Sequence, residues 1–171
     1  MRKFLPYNIE EIDESNYQFL TEANVVYDVR FEFNNKYLPD LSEGCPKCKD
    51  IIELILDRSH KVKGNDKRIG ATIFEILNWK LSDSCNGVMY KCFDGDNLGC
   101  ARDRLFQSWQ DEFGDDEKID IWVNDFSEGN GVVGKMYLLV DKGCINHQQV
   151  VHNFTNECKP CRQFKEDCEF C

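Results

Sequence analysis

No stretch of this 171-residue chain approaches the roughly 18 consecutive apolar residues that a membrane-spanning helix requires. The opening residues, Met1-Arg2-Lys3-Phe4-Leu5-Pro6-Tyr7-Asn8, supply no apolar segment or small-residue cleavage site before turning acidic at Glu10, Glu11, Asp13 and Glu14. The expectation is a cytoplasmic chain with no membrane contact. Internal repeats, low-complexity tracts and Gly/Ser linkers are absent as well, which predicts one α+β domain over residues 1–154 followed by a short tail, 155–171. The motifs GxSxG, P-loop, HExxH and the Rossmann fingerprint are also missing, so no catalytic set announces itself. Basic charge is in deficit. Lys and Arg number 21 against 31 Asp and Glu, a net charge of −10 that opposes nonspecific attraction to nucleic acid.

Cysteine, by contrast, is plentiful. Of ten cysteines, six fall in three CxxC pairs, Cys45/Cys48, Cys158/Cys161 and Cys168/Cys171. Two thiolates at this spacing can hold one tetrahedral ion, and a second pair completes a four-thiolate zinc site. A reducing compartment disfavours lasting disulfides and so favours metal. The tail pairs are separated by six residues, a short span beside the dozen or more usual in a zinc ribbon. Two arrangements remain open: the tail closes on itself, or Cys45/Cys48 shares a metal with one tail pair. Either site has all four positions filled by protein, which makes the zinc structural and gives it no reaction to perform. Cys85, Cys92, Cys100 and Cys144 lack a CxxC partner, and Cys92, within a predicted strand, is expected to be a buried thiol.

An apolar fraction of 42 % with 12 Phe, 6 Tyr and 3 Trp is enough for a core. Alternation predicts strands over Tyr17 to Thr21 and Val25 to Phe33, with a tight turn at Glu22-Ala23-Asn24, and a third over Asp50 to Asp57. Asn65 or Asp66 should cap a helix running to about Leu81, because Ile69, Ile73, Ile76, Leu77 and Leu81 form one stripe. Further strands are expected over Val88 to Phe93, Ile119 to Val123 and Gly134 to Val140. A second helix, Leu98 to Phe113, carries Ala101, Leu105, Trp109 and Phe113 in register. A last helix from Asn146 buries Val150, Val151 and Phe154. The fold class is therefore α+β, a largely antiparallel sheet of about six strands with three helices, plus a small cysteine-rich tail. Trp79, Trp109 and Trp122 read as core.

Charge is uneven along the chain. Arg58, Lys61, Lys63, Lys67 and Arg68 make one segment basic, while six acids between Asp111 and Asp120 make another acidic. Both suit solvated faces, although the basic one could hold a phosphate. Asp94-Gly-Asp96-Asn97 follows a strand and precedes the helix bearing Arg102, Asp103 and Arg104. Such carboxylates could bind Mg²⁺ with an arginine clamping a phosphate ester, or they could form a turn and cap the helix.

The passage Asp66-Lys-Arg68-Ile69-xx-Thr72-Ile73, Val88 to Phe93, Asp94-Gly-Asp96 and Arg102-Asp-Arg104-Leu105-Phe106-xx-Trp109 resembles a family of small uncharacterised bacterial or phage proteins. The resemblance spans roughly Tyr17 to Trp109. It implies the same fold and a bacterial or phage origin and carries no catalytic residue; the CPKC segment and the cysteine tail depart from it, and a setting in a bacterial or phage conflict system belongs to the functional expectation. The sequence thus points to a zinc-stabilised cytoplasmic protein that binds a macromolecule, a protein before anything else. A Mg²⁺-dependent phosphoester enzyme using Asp94, Asp96, Arg102 and Arg104 is the alternative. A nucleic-acid binder using Lys61, Lys63, Lys67 and Arg68 is a third reading.

Overall fold

The computed structural model describes residues 4–33, 51–61, 64, 66–83, 87–93, 98–127, 133–145 and 147–157. Strands β1 (Ile9–Asp13), β2 (Asn16–Leu20), β3 (Val26–Phe33) and β4 (Ile52–Arg58) come first, then helix α1 (Lys67–Asp83), β5 (Val88–Phe93) and α2 (Gly99–Phe113). Strands β6 (Ile119–Ser127) and β7 (Val133–Asp141) and helix α3 (His147–Glu157) complete the order. The strands form one sheet in the order β1-β2-β3-β4-β5-β7-β6. All neighbours run antiparallel except β4 and β5, which α1 joins as a crossover. The class is α+β with a mostly antiparallel sheet.

The expectation of about six strands falls one short. The extra strand is β1, whose sequence IEEID offers the core little beyond Ile9. Pairing with β2 holds it at the sheet edge, with a bulge between Glu11 and Asp13. At α1 the cap is Asp66, whose carboxylate accepts a hydrogen bond from Arg68 N at 2.9 Å. The predicted α1 stripe is buried, with Ile73, Ile76, Leu77 and Leu81 no more than 2 % exposed. On α2 Trp109 is buried and Leu105 and Phe113 pack against the core as expected, whereas Ala101 is exposed and Asp103 is buried.

Residues Tyr17, Phe19, Tyr27, Val29, Phe31, Leu54, Val88, Tyr90, Cys92, Tyr137 and Leu139 alternate onto one sheet face and join α1 and α2 in the main core. The opposite face of β5 and β7 buries Met89, Met136, Leu138 and Val140 with Val150, Val151 and Phe154 of α3. That helix is pinned at both ends. Its His147 ring nitrogen Nε2 stands 2.8 Å from an Asp120 carboxylate oxygen, and Asn124 Nδ2 donates to the Phe154 carbonyl at 2.7 Å. Trp109 is core as expected. Trp79 and Trp122 are not: they are 44 % and 38 % exposed, because Trp79 lies at the rim of α1 over Tyr17 and Trp122 lies on the outermost strand. Among the described residues, no helix is long and apolar enough to cross a membrane.

Candidate functional site

Alternation along β7 puts Lys135 on the same face as Tyr137 and Leu139, beneath α2, where an apolar side chain would be ordinary. Register then fixes its neighbours: Cys92 of β5 lies opposite Lys135, and Tyr90 lies opposite Tyr137. Helix α2 supplies Asp103 and, one turn on, Gln107. An ammonium group brought toward a core needs an anion, and Asp103 meets it at 2.9 Å. The Tyr137 hydroxyl donates to the other carboxylate oxygen of Asp103. Gln107 Nε2 donates to Asp103 Oδ2 at 3.1 Å and to the Tyr137 hydroxyl at 3.0 Å. Asp103 is 2 % exposed. Aromatic stacking encloses the group, with Tyr90 centred 4.7 Å from Tyr137 and 4.5 Å from Phe106.

These contacts decide the protonation states. Burial works to raise the Asp103 carboxyl, but the hydrogen bonds from Tyr137 and Lys135, with the Lys135 charge, outweigh it and hold the group below the usual carboxylate range. Burial pushes Tyr137 up, and its bond to Asp103 adds to the shift. Burial pushes the Cys92 thiol up to about 12. At neutral pH the cluster therefore holds one anion saturated by three donors, protonated tyrosines and a thiol rather than a thiolate. Such a network locks α2 in register on the sheet. It offers neither an available base nor an activated nucleophile.

The sequence-predicted residues fare unevenly. Cys45, Cys48, Cys158, Cys161, Cys168 and Cys171 lie outside the described residues, as do Asp94, Asp96 and Lys63. Among the described residues, no three of His, Cys, Asp and Glu come together to hold a metal ion. Cys92, Cys100 and Cys144 are in no disulfide, and the first and last of them are buried as a strand or core cysteine should be. Helix α2 starts at Gly99, and Leu98 in the cap position makes no side-chain cap bond. Arg102 is partly buried and near enough to lower the Cys92 pKa slightly against burial, whereas Arg104 is exposed. The basic segment is partly consumed within the fold. Lys67 pairs with Glu112 at 3.0 Å, and Arg68 pairs with Glu22 while lying 3.9 Å over the Tyr7 ring. Only Lys61 among the described lysines of that segment stands in the open with no ion pair to a described residue.

Sequence reasoning passed over Asp103, Gln107, Lys135 and Tyr137. One signal was available: Lys135 shares parity with Tyr137 and Leu139, and an inward lysine demands a buried acid. Comparison with known proteins returned no matching family model, no matching curated protein and no matching solved structure.

Proposed function

We propose that this chain is a zinc-stabilised binding protein whose partner is a macromolecule, and a protein in particular. The observation that carries this reading is the saturation of the Asp103 network. The most elaborate polar cluster in the described structure spends its donors and acceptors on one another, so it serves architecture rather than turnover. Among the described residues the cysteines of the core, Cys92 and Cys144, are buried and in no disulfide. The CxxC thiolate pairs suit the ordering of the segments that carry them, which is what structural zinc does at recognition surfaces.

The topology favours one assignment of ligands. Ile52 N bonds to Gly87 O, which places the return from the CPKC segment at the end of the sheet where α3 begins beside Asp120. Helix α3 then runs to Asn124, toward the Lys91 and Met136 end, before reaching Cys158. The two cysteine segments thus join the domain at opposite ends of β5 and β7. Closure of Cys158, Cys161, Cys168 and Cys171 on one ion needs no chain to cross that length; Cys45 and Cys48 would then be ligands of a second kind or none.

Elemental analysis of protein purified without chelator tests this. About one zinc per chain is expected, falling to near zero in a Cys168→Ser/Cys171→Ser variant and persisting in Cys45→Ser/Cys48→Ser. Metal-free protein with no titratable free thiols would overturn it. A pull-down with intact and zinc-stripped chains tests the binding role, which predicts a partner retained only by the zinc form.

A further inference from the structure

The two edges of the sheet are unlike. Strand β1 is five residues long, bulged between Glu11 and Asp13, and carries Glu10, Glu11 and Asp13, all features that discourage another strand from pairing with it. Strand β6 is nine residues long and in unbroken register with β7 from Ile119 to Ser127, with no bulge, proline or lysine, and its charges, Asp120 and Asp125, flank an uncharged centre of Ile121, Trp122, Val123 and Asn124. Along its middle it exposes an apolar residue on each face, Trp122 at 38 % and Val123 at 49 %. Among the described residues nothing pairs with its outer side. An unprotected edge of this length with uncovered apolar flanks is a template for another strand.

We propose that β6 pairs antiparallel with β6 of a second copy of this chain, joining two seven-stranded sheets across a two-fold axis at Trp122. The sequence of β6 is self-complementary about that residue. With Trp122 opposite its own copy, Ile121 meets Val123 on the α2 face and Asp120 meets Asn124 on the α3 face. At the centre apolar groups therefore oppose apolar ones and carboxylate opposes amide rather than carboxylate, while at the two ends Ile119 meets Asp125. Moving the axis to Val123 sets Trp122 against Asn124 and Ile121 against Asp125, which forfeits both matches. A two-fold axis normal to the sheet keeps each face on its own side, so the pairing is isologous and closed. The helices leave room for it: α3 packs chiefly on β7 and stands back from the outer edge, which is why Trp122 is uncovered. In the dimer the two Trp122 side chains fill the groove between the paired α3 helices. This inference is independent of the zinc reading, since no cysteine takes part.

Sedimentation equilibrium on the full zinc-loaded chain tests it. A mass of twice 20.0 kDa is expected. Trp122→Lys/Val123→Lys should weaken the dimer at least about a hundredfold by setting like charges across the axis, with an unchanged circular dichroism spectrum. Both positions are partly open to water, and the circular dichroism spectrum separates loss of pairing from loss of fold. Cys168→Ser/Cys171→Ser should remain dimeric. A photo-crosslinker at position 122 should join the chain to its own Ile121–Asn124 peptide. A monomer at high micromolar concentration, a dimer indifferent to the lysine pair, or a crosslink to any other segment or to a different protein would each overturn the proposal.

Discussion

The Lys135 ammonium lies 2.9 Å from the Asp103 carboxylate, and the two residues come from different elements, the strand next to the sheet edge and the helix that covers it. Asp103 is almost fully buried while Lys135 keeps a quarter of its side chain in water, so the pair is asymmetric. Loss of the acid strands a lysine that can still turn outward; loss of the lysine leaves a buried charge held only by Tyr137 and Gln107. Asp103→Leu should cost about 2–4 kcal/mol, because the Tyr137 hydroxyl and the Gln107 amide also lose their acceptor. Adding Lys135→Met should restore part of that loss, with a coupling of about 1–3 kcal/mol between the two sites. Urea unfolding of the two single variants and the double checks this, and additive losses would show that the pair does not interact.

The same carboxylate sets a pH dependence. Its folded-state pKa is depressed, so the native state binds fewer protons than the unfolded chain at the acid end. The stability it confers is fully present above the ordinary value of 3.8 and is lost as pH falls from there through the lower folded value. Asp103→Asn removes this contribution and leaves every other carboxylate in place. The difference in stability between wild type and Asp103→Asn should therefore be constant near neutrality and shrink on acidification below about pH 4. Thermal or urea midpoints measured in parallel across that range give the comparison directly.

Gly70 of α1 packs directly against the Trp109 indole of α2. A Cβ there would lie 2.4 Å from Trp109 Cδ1 and 2.7 Å from its Nε1, and the indole is 5 % exposed, so it has nowhere to go. Alanine in mid-helix ordinarily gains about 1 kcal/mol over glycine. Here the clash should reverse the sign and leave Gly70→Ala about 1–3 kcal/mol less stable. Shrinking the neighbour should rescue it, so Gly70→Ala combined with Trp109→Leu should be no worse than Trp109→Leu alone by urea midpoint.

Much of this architecture was legible in the residues themselves. The stripe Ile73, Ile76, Leu77 and Leu81 and the alternation through β3 fixed elements whose burial the structure repeats, because hydrophobic period is a strong local signal. What escaped was set by tertiary pairing. Strand β1 exists because β2 presents an open edge to an acidic segment, which no period within IEEID announces. On α2 the exception is Ala101: Asp103 points inward while Ala101 does not, and only the position of Lys135 on a separate strand makes an inward aspartate favourable. Trp79 and Trp122 were assigned to the core from their size, yet exposure follows position at a helix rim or sheet edge. The DxD pair and the CxxC pairs fall outside the described residues.

If the CxxC pairs hold zinc as proposed, removing it should spare the domain. The main core draws on residues from β1 to β7 with α1 and α2, and α3 is fixed by Val150, Val151 and Phe154 together with Asn124 donating to the Phe154 carbonyl. None of these contacts uses a CxxC thiolate. A chelator should leave far-ultraviolet circular dichroism and the cooperativity of unfolding nearly unchanged. Any effect should concentrate at the last turn of α3, which leads directly into Cys158. Hydrogen exchange should then show faster exchange in the last turn of α3 on chelation, while amides of β5 and β7 keep their protection. Asn124→Ala should reproduce that local loosening with zinc still bound, at a cost of about 1 kcal/mol for one amide-to-carbonyl bond at a helix end. Global unfolding on chelation would instead make the metal part of the core, and the separation of domain from tail would have to be abandoned.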